Sequence, residues 1–333
     1  MCAASSLNDP GTLTSMPRRP GSVDPPLEPF PRVHLARNVP RAVVARMIRS
    51  GGWVKVRTGA YVVPPPEADR HARRRFLALA GIVAAARQLT IDHTFSHASA
   101  ALVWGLPLWT VPDRTHLIQG PTPTGTGAVD LARHVHELAT GHRTRHRGLP
   151  VTTLDRTLVD CAMSLGPLGG LVVADAALRA GADRDRCRAL LTSMAGRRGT
   201  RVGRAVVELA DGGAESPRET ATRYVMLRSG MPAPETQIHI TTPIGDYWAD
   251  LGWRDLRLLV EYDGIGKYAE AAGASEVLLR ERRRQDAVQE QGWRFLRLTR
   301  EDFGRTDTIM RRLTPLLPRA LAASLTPRPD LIA

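Results

Sequence analysis

The order of elements predicted for residues 214–322 constrains the fold more than any other feature of the sequence. Ser216 and Pro217 are residue types that begin a helix, and Gly230 with Pro232 ends it. Three runs with strand character follow, at residues 237–241, 246–251 and 256–263. A long charged helix is then predicted at residues 275–291, and a last strand at residues 293–298. The order α-β-β-β-α-β predicts a sheet flanked by helices and an α/β (α+β) fold class.

The strand predicted at residues 256–263 carries two acidic side chains on one face. Because side chains alternate along a strand, we expect Leu259, Glu261 and Asp263 to share that face. The opposite face would carry Leu258, Val260 and Tyr262. We expect Asp250 to end the preceding strand, and a short turn to bring it beside Glu261.

This grouping of acids predicts a site for a hard divalent cation. Clustered carboxylates repel one another unless a cation shares them. Asp250 and Glu261 are therefore candidate ligands of Mg²⁺ or Mn²⁺, which would activate water for phosphodiester hydrolysis. Lys267 follows a Gly-Ile-Gly turn and is a candidate to orient that water or a phosphate.

Each acid also has a purely structural interpretation. Asp250 could simply end a strand, and Glu261 could pair with an arginine of residues 282–284. Ser216 and Glu219 have the spacing of a capping box, in which the glutamate binds the start of its own helix. The residues alone leave these alternatives open.

The N-terminal part of the chain divides into a tail and a small unit. Residues 1–32 include seven prolines among Ser, Gly and Thr, which predicts a disordered tail. Residues 33–66 contain a helix followed by a basic hairpin, as in a winged helix-turn-helix. We expect its basic side chains to face DNA, namely Arg41, Arg46, Lys55 and Arg57. The alternative is a small αββ cap whose charges are merely solvated.

Residues 67–212 are predicted to form a mixed, mostly helical middle region. Ser96 and His97 begin a helix and suggest a cap with a satisfied imidazole rather than a catalytic group. Four more histidines lie in a polar, arginine-rich stretch with no Cys or carboxylate at ligand spacing, at positions 134, 136, 142 and 146. We interpret these as exposed strand and loop positions.

The charge of the chain indicates a phosphate-rich partner. The formal net charge is +13, and Arg supplies most of the 46 basic residues. Such an excess favours nucleic acid, although a GC-rich genome, which encodes Arg in place of Lys, would give the same composition. Three scattered cysteines exclude a disulfide framework, and no apolar run resembles a signal peptide or a membrane span. We therefore expect a cytoplasmic protein that binds DNA and no membrane.

Several short motifs resemble known families. Glu-Tyr-Asp-Gly at residues 261–264, Arg-Gln-Asp at 284–286 and Gly-Trp-Arg-Phe-Leu-Arg at 292–297 resemble the very-short-patch-repair (Vsr)-like endonucleases of the PD-(D/E)XK superfamily. Ser-His-Ala-Ser-Ala-Ala at 96–101 and Trp-Gly-Leu-Pro at 104–107 are similar to the AbiEi-type antitoxin domain of type IV toxin–antitoxin systems. The combination resembles a set of actinobacterial proteins and covers almost everything after residue 32.

The resemblance assigns roles to residues of the C-terminal domain. It implies that Asp250 and Glu261 bind the metal, with Asp263 as a third acid and Glu219 as a helix-borne acid near the site. Arg294 in the last motif is a further candidate for DNA contact. One departure concerns the lysine usually found two residues after the acid, because Asp263 occupies that position.

Two functions from different classes follow. The first is a metal-dependent DNA endonuclease with an N-terminal DNA-binding region. The second is a non-enzymatic, antitoxin-like transcriptional repressor, in which the nuclease fold only binds DNA. Winged-helix regulators and nucleases often work as dimers, so a second copy of the chain is a candidate partner in a homodimer beside DNA. The antitoxin-like hypothesis adds a cognate toxin gene product as a candidate partner. A protein whose basic surface binds RNA or an acidic partner is a third, weaker hypothesis.

Overall fold

A computed structural model describes residues 27–65, 69–120, 128–262, 274–304 and 306–332. The first unit contains a small sheet in the order β1-β3-β2 and one helix. Its elements are β1 (His34–Leu35), α1 (Arg41–Arg49), β2 (Val54–Arg57) and β3 (Ala60–Val62). The predicted helix followed by a hairpin is thus present.

A long helix, α2 (Arg70–Gln88), covers the first sheet. Ala80, Val83 and Ala84 of α2 pack against Ala60 and Val62 of β3 in a small apolar cluster. The end of the segment predicted to be disordered also contacts the fold, because Phe30 packs against this cluster. Residues 1–26 of that predicted tail lie outside the described residues.

The middle region contains a five-stranded sheet followed by four helices. The strands are β4 (Thr94–Phe95), β5 (Thr115–Gln119), β6 (Leu131–Val135), β7 (Arg143–His146) and β8 (Leu149–Thr152), with α3 (His97–Val103) after β4. The strand order is β6-β5-β4-β8-β7. The helices are α4 (Leu154–Ser164), α5 (Gly166–Arg179), α6 (Arg184–Ser193) and α7 (Thr200–Leu209). Most of these strands are short and polar, so their sequence pattern is weak.

The C-terminal region has the predicted order α-β-β-β-α-β. Its elements are α8 (Pro217–Arg228), β9 (Glu235–Thr242), β10 (Gly245–Trp253), β11 (Leu258–Tyr262), α9 (Ala274–Glu290) and β12 (Arg294–Leu298). The sheet order is β12-β11-β10-β9, and only the β11–β12 pair is parallel among the described strands of this sheet. Two short helices follow, α10 (Thr306–Leu313) and α11 (Arg319–Ser324). The mixed α and β fold class is confirmed.

The predicted alternation along β11 is also present. Leu258 and Val260 lie in the main core, and Tyr262 packs against it. Leu259 lies in a separate cluster with Val288 of α9. The sheet therefore has a buried apolar layer on each face.

Strand β10 differs from the prediction, because Asp250 lies within it and does not end it. Tyr247 and Ala249 pack in the cluster that contains Leu259, whereas Leu251 lies in the main core. These odd-numbered residues would share one face of a regular strand, so β10 changes face at Asp250. The register with β9 places Gln237 opposite Asp250, and Gln237 has a φ of 53°. An irregularity in the paired strands therefore sets the position of Asp250.

The middle and C-terminal regions share one apolar core. Leu158 and Leu171 of the middle helices belong to the same cluster as Met226, Val260 and Leu296. A buried ion pair crosses the same junction, because Arg223 of α8 donates to both oxygens of Asp175 of α5, at 2.7 and 2.8 Å. Among the described helices, none is both long and apolar enough to cross a membrane.

Candidate active site

Glu219 is buried in the first turn of α8, where its carboxylate binds the start of the helix. The side-chain hydroxyl of Ser216 donates to Glu219 Oε1 at 2.7 Å, and the backbone N–H of Glu215 donates to Oε2 at 2.8 Å. The backbone N–H of Glu219 in turn donates to Ser216 Oγ at 3.2 Å. This reciprocal arrangement is a variant of the capping box expected from the sequence, in which the glutamate binds the backbone N–H of Glu215 in place of that of the N-cap residue Ser216. Both oxygens of Glu219 are thus engaged.

Glu219 is nevertheless an unfavourable place for a negative charge. Burial, and then the negative charge of Asp250, raise the pKa of the Glu219 carboxyl to about 7. Only 8% of the residue is exposed, so solvent screens this repulsion little. The carboxyl groups of Glu219 on α8 and Asp250 on β10 therefore repel each other, and a bound cation would relieve this repulsion.

Asp250 and Glu261 lie on neighbouring strands. The antiparallel register pairs Leu251 with Val260, and its continuation places Asp250 opposite Glu261. Asp250 Oδ2 accepts a hydrogen bond from the backbone N–H of Tyr262 at 3.3 Å. A short connection joins the two strands as expected, because β10 ends at Trp253 and β11 begins at Leu258, and the register of this hairpin brings the two acids to adjacent positions.

Among the described residues, Tyr247 and Arg297 contact Glu261. The hydroxyl of Tyr247 donates to Glu261 Oε1, and Arg297 Nε lies 3.9 Å from Oε2. Arg297 is the direct partner of Glu261 in the parallel register of β11 and β12. The side chain of Glu261 is 14% exposed, so it remains within reach of solvent.

Two predicted catalytic residues, Asp263 and Lys267, lie outside the described residues. Within the described part of the chain, the acids do not form a group of three whose ligand atoms all lie within 4.8 Å of one another. The roles of Glu219, Asp250 and Glu261 as metal or catalytic groups stay predictions. The structure brings Glu219 and Asp250 near each other and places Glu261 next to Asp250 along the sheet.

Arginines near these acids were missed by the sequence reasoning. Arg218 precedes Glu219, and its guanidinium lies 5.5 Å from the ring of Trp109, 5.7 Å from that of Tyr262 and 5.1 Å from that of Phe303. Arg297 could have been found by recognising that β11 and β12 are parallel, whereas the rings around Arg218 come from distant segments.

Arg294 lies apart from the acids, and Arg57 occupies a position unlike the one expected. Arg294 is exposed, and in the register of β11 and β12 it lies opposite Leu258. Leu258 precedes Glu261 by three positions, so Arg294 lies about 10 Å from Glu261 along the strand direction. The expectation that Arg57 projects from the hairpin with Lys55 is wrong. A register shift separates the two residues, and the Arg57 guanidinium binds Asp130 at 2.6 Å with 11% of its side chain exposed. A bulge reorients side chains, which alternation alone does not predict.

The other basic residues predicted to face DNA are accessible. Arg41 and Arg46 are exposed on α1, and Lys55 is exposed on β2. Val44 is the one buried residue of α1, so most of this helix faces solvent. An exposed, arginine-bearing helix beside a hairpin is suited to a nucleic-acid groove.

A histidine cluster is the second group that the sequence reasoning missed. His97, His116 and His134 each place a ligand atom within 4.8 Å of the others. Ser96 occupies the N-cap position of α3 as expected, but its hydroxyl makes no cap hydrogen bond and instead lies 2.9 Å from His97 Nδ1. Burial lowers the pKa of His97 to about 2 and that of His116 to about 4, so both are neutral at pH 7. His134 is half-buried, and the other three histidines expected at exposed positions, His136, His142 and His146, are partly buried as well.

The chain is similar to two proteins of Mycobacterium tuberculosis. These are the uncharacterized protein Rv2248 of strain H37Rv and the uncharacterized protein MT2308 of strain CDC 1551. Each is 30% identical over 261 residues, which covers 78% of this chain and 89% of the relative. The chain belongs to the Rv2248 family. No model of a known protein family matches the sequence.

Among solved structures, the chain is similar to the crystal structure of the RV2827C protein from Mycobacterium tuberculosis. The two are 17% identical with a TM-score of 0.35, over 64% of this chain and 84% of that one.

Proposed function

We propose that this protein is a metal-dependent DNA endonuclease whose N-terminal unit binds DNA. The observation that carries the proposal is the buried carboxyl of Glu219, whose pKa is raised to about 7 by burial and by Asp250. A buried acid whose pKa is raised by a second acid is a common feature of catalytic sites. The order α-β-β-β-α-β around them supports the same class of enzyme.

The donor set fits a hard divalent cation. Asp250 and Glu261 offer carboxylate oxygens from adjacent strand positions, and oxygen ligands are those that Mg²⁺ and Mn²⁺ prefer. A bound cation would lower the pKa of a water molecule and offset negative charge on the phosphate. Asp263 and Lys267 remain proposed members of the site.

The remaining residues would orient the acids and the substrate. Tyr247 holds Glu261 through its hydroxyl, so the carboxylate has a defined direction. Arg297 beside Glu261 and Arg218 beside Glu219 supply positive charge where a phosphate would approach. The exposed Arg41 and Arg46 of α1 would contact the DNA backbone away from the site of cleavage.

A plasmid-nicking assay with Mg²⁺ or Mn²⁺ tests the proposal. Wild-type protein should nick the plasmid, and Asp250→Asn and Glu261→Gln should each lower the rate by at least about 100-fold, since each removes a negative ligand. Asp246→Asn is the matched control, because Asp246 is an exposed acid of the same strand. Equal rates for Asp250→Asn, Glu261→Gln and Asp246→Asn would refute these roles.

A non-enzymatic repressor is the second candidate, and one observation favours it. Both oxygens of Glu219 are occupied by the helix cap, as in a glutamate whose role is structural. A repressor would shift promoter DNA in a gel without metal, and neither acid variant would change that shift. A homodimer and a cognate toxin product belong to this second proposal.

A further inference from the structure

A histidine cluster lies on the sheet of the middle region, apart from the acids discussed above. His116 is on β5 and His134 is on β6, and the parallel register aligns His116 with Ala132 and Ile118 with His134. His116 and His134 are therefore diagonal neighbours on one face of the sheet. His97, the first residue of α3, packs against them, with its ring 3.8 Å from that of His134 and 5.6 Å from that of His116.

We propose that His97, His116 and His134 bind a zinc-class transition-metal ion. His116 Nδ1 lies 3.1 Å from His134 Nε2. In a tetrahedral zinc site with Zn–N bonds of about 2.0–2.1 Å, two ligand nitrogens lie about 3.3 Å apart. A bound ion would replace the hydrogen bond between these two nitrogens with two metal bonds at nearly the same nitrogen spacing. The ring of His97, which is stacked on His134 with an angle of 11° between the planes, would rotate to direct a nitrogen at the ion.

The third histidine is oriented by its surroundings. Ser96 Oγ lies 2.9 Å from His97 Nδ1, and Asp160 Oδ2 lies 3.9 Å from the same nitrogen. With Nδ1 turned toward these groups, Nε2 is the nitrogen available to a metal. Metal-binding histidines commonly donate their other N–H to a carboxylate, a backbone carbonyl or water, and Asp160 is such a carboxylate.

Asp160 supplies an independent indication of a ligand. Its side chain is 5% exposed, and Arg156 Nε binds Oδ1 at 2.8 Å. Among the described residues, Oδ2 has no hydrogen-bond partner although it is buried. Buried polar atoms are almost always satisfied, so an orphan beside His97 requires an explanation. A metal-bound His97 would move its N–H toward Oδ2 and satisfy it.

The backbone keeps the cluster in place. The backbone N–H of Ser96 donates to the carbonyl of His116 at 3.2 Å, and the N–H of His116 donates to Ser99 Oγ at 2.8 Å. His97 itself has a φ of 52°, in the left-handed region that residues other than glycine rarely adopt. Such backbone conformations persist where surrounding structure holds them, often at functional sites.

The ligand chemistry selects the class of ion. Imidazole nitrogen suits zinc, copper, iron and nickel, whereas magnesium and manganese prefer oxygen. Three histidines leave one position of a tetrahedral ion open to water or to another ligand, as in catalytic zinc sites. The cluster is therefore distinct in chemistry and in place from the carboxylates proposed to bind Mg²⁺.

Calorimetric titration of the full chain with Zn²⁺ tests the site. Wild-type protein should bind a single ion tightly, and Co²⁺ in its place should show the visible absorption of tetrahedral cobalt. His134→Gln should weaken zinc binding by at least about tenfold, and Asp160→Asn by about 10- to 100-fold. Circular dichroism of the metal-free variants shows whether each variant is folded. If Asp160→Asn does not fold, His134→Gln decides the outcome, because His134 is only half-buried.

Two controls separate this site from other sources of zinc binding. His239→Ala removes a half-exposed imidazole on β9 and should leave the affinity unchanged. The variant Asp250→Asn/Glu261→Gln should also bind zinc normally, so loss of nuclease activity and loss of zinc binding are distinguishable. Absence of zinc binding by wild type, an unchanged affinity in His134→Gln, or a loss in either control would overturn the proposal.

Discussion

At the scale of single residues, Glu219 combines two roles that conflict. It caps α8 through both carboxylate oxygens, yet it is buried close to Asp250. Hydrogen bonds from Ser216 and from the backbone of Glu215 favour the charged form, while burial and Asp250 disfavour it more strongly. A site that accumulates negative charge in this way costs stability unless a cation is bound.

The raised pKa of Glu219 predicts a pH-dependent stability in the absence of divalent metal. The folded chain keeps this proton up to a pKa of about 7, whereas the unfolded chain loses it near the ordinary value of 4.5. The free energy of unfolding should therefore fall as the pH rises from about 4.5 to about 7, by up to about 3 kcal/mol. Urea unfolding at pH 5 and pH 8 in the presence of a chelator measures the change.

Glu219→Gln should remove this part of the pH dependence, because the amide does not titrate. Glu235→Gln is the control, since Glu235 is a half-exposed acid that pairs with Arg254 on the surface. If Glu219→Gln and wild type lose the same stability between the two pH values, the interpretation of Glu219 is incorrect.

At the scale of elements, α5 and α8 are joined by a polar contact inside an apolar core. Asp175 accepts from Arg223, from the Thr220 hydroxyl at 2.9 Å and from the backbone N–H of Asp211 at 2.7 Å. Arg223 also donates to the carbonyl of Leu209 at 2.6 Å. The side chain of Asp175 is 1% exposed and that of Arg223 is 2% exposed, so neither charge has access to water if its partner is lost.

Asp175→Ala is therefore expected to destabilise the protein by about 3–5 kcal/mol, because the guanidinium of Arg223 would be left buried and unpaired. Urea unfolding of wild type and variant measures the difference. Asp92→Ala removes an exposed acid that pairs with Arg143 and should cost no more than about 1 kcal/mol. A loss below 1 kcal/mol in Asp175→Ala would contradict the importance of the buried pair.

At the scale of the whole molecule, the basic residues behind the net charge of +13 differ in their roles, because some form structural ion pairs and others are exposed. Several arginines are committed to structural contacts, as Arg57 is to Asp130 and Arg223 to Asp175. Arg41 and Arg46 are exposed on a helix with a single buried residue, so they are available to a partner. A DNA partner would release counterions for each phosphate that these arginines contact.

Arg41→Ala/Arg46→Ala should weaken DNA binding and lower its salt dependence. Each lost phosphate contact reduces the slope of log K against log salt by about 0.9, so the double variant should lose about 1.8. Fluorescence anisotropy with a labelled duplex at several salt concentrations measures the slope. Arg201→Ala/Arg204→Ala is the matched control, as both arginines are exposed on another helix, α7. Equal slopes for the two double variants would exclude α1 as the DNA-binding element.

Much of the C-terminal region could be predicted because its signals are local. The cap at Ser216 and Glu219 needs only three-residue spacing, and the alternation of Leu258, Leu259 and Val260 needs only a period of two. The order of helices and strands follows from such patterns along the chain. The sequence by itself therefore determined the element order, the fold class and the layers of the C-terminal sheet.

Only the tertiary structure decided which distant side chains meet. His97, His116 and His134 come from separate elements, and short polar strands give no indication of their register. The change of face at Asp250 and the capture of Arg57 by Asp130 likewise depend on strand irregularities that a regular alternation does not encode. Local periodicity reflects each element's own geometry, whereas a site forms through the packing of elements far apart in sequence.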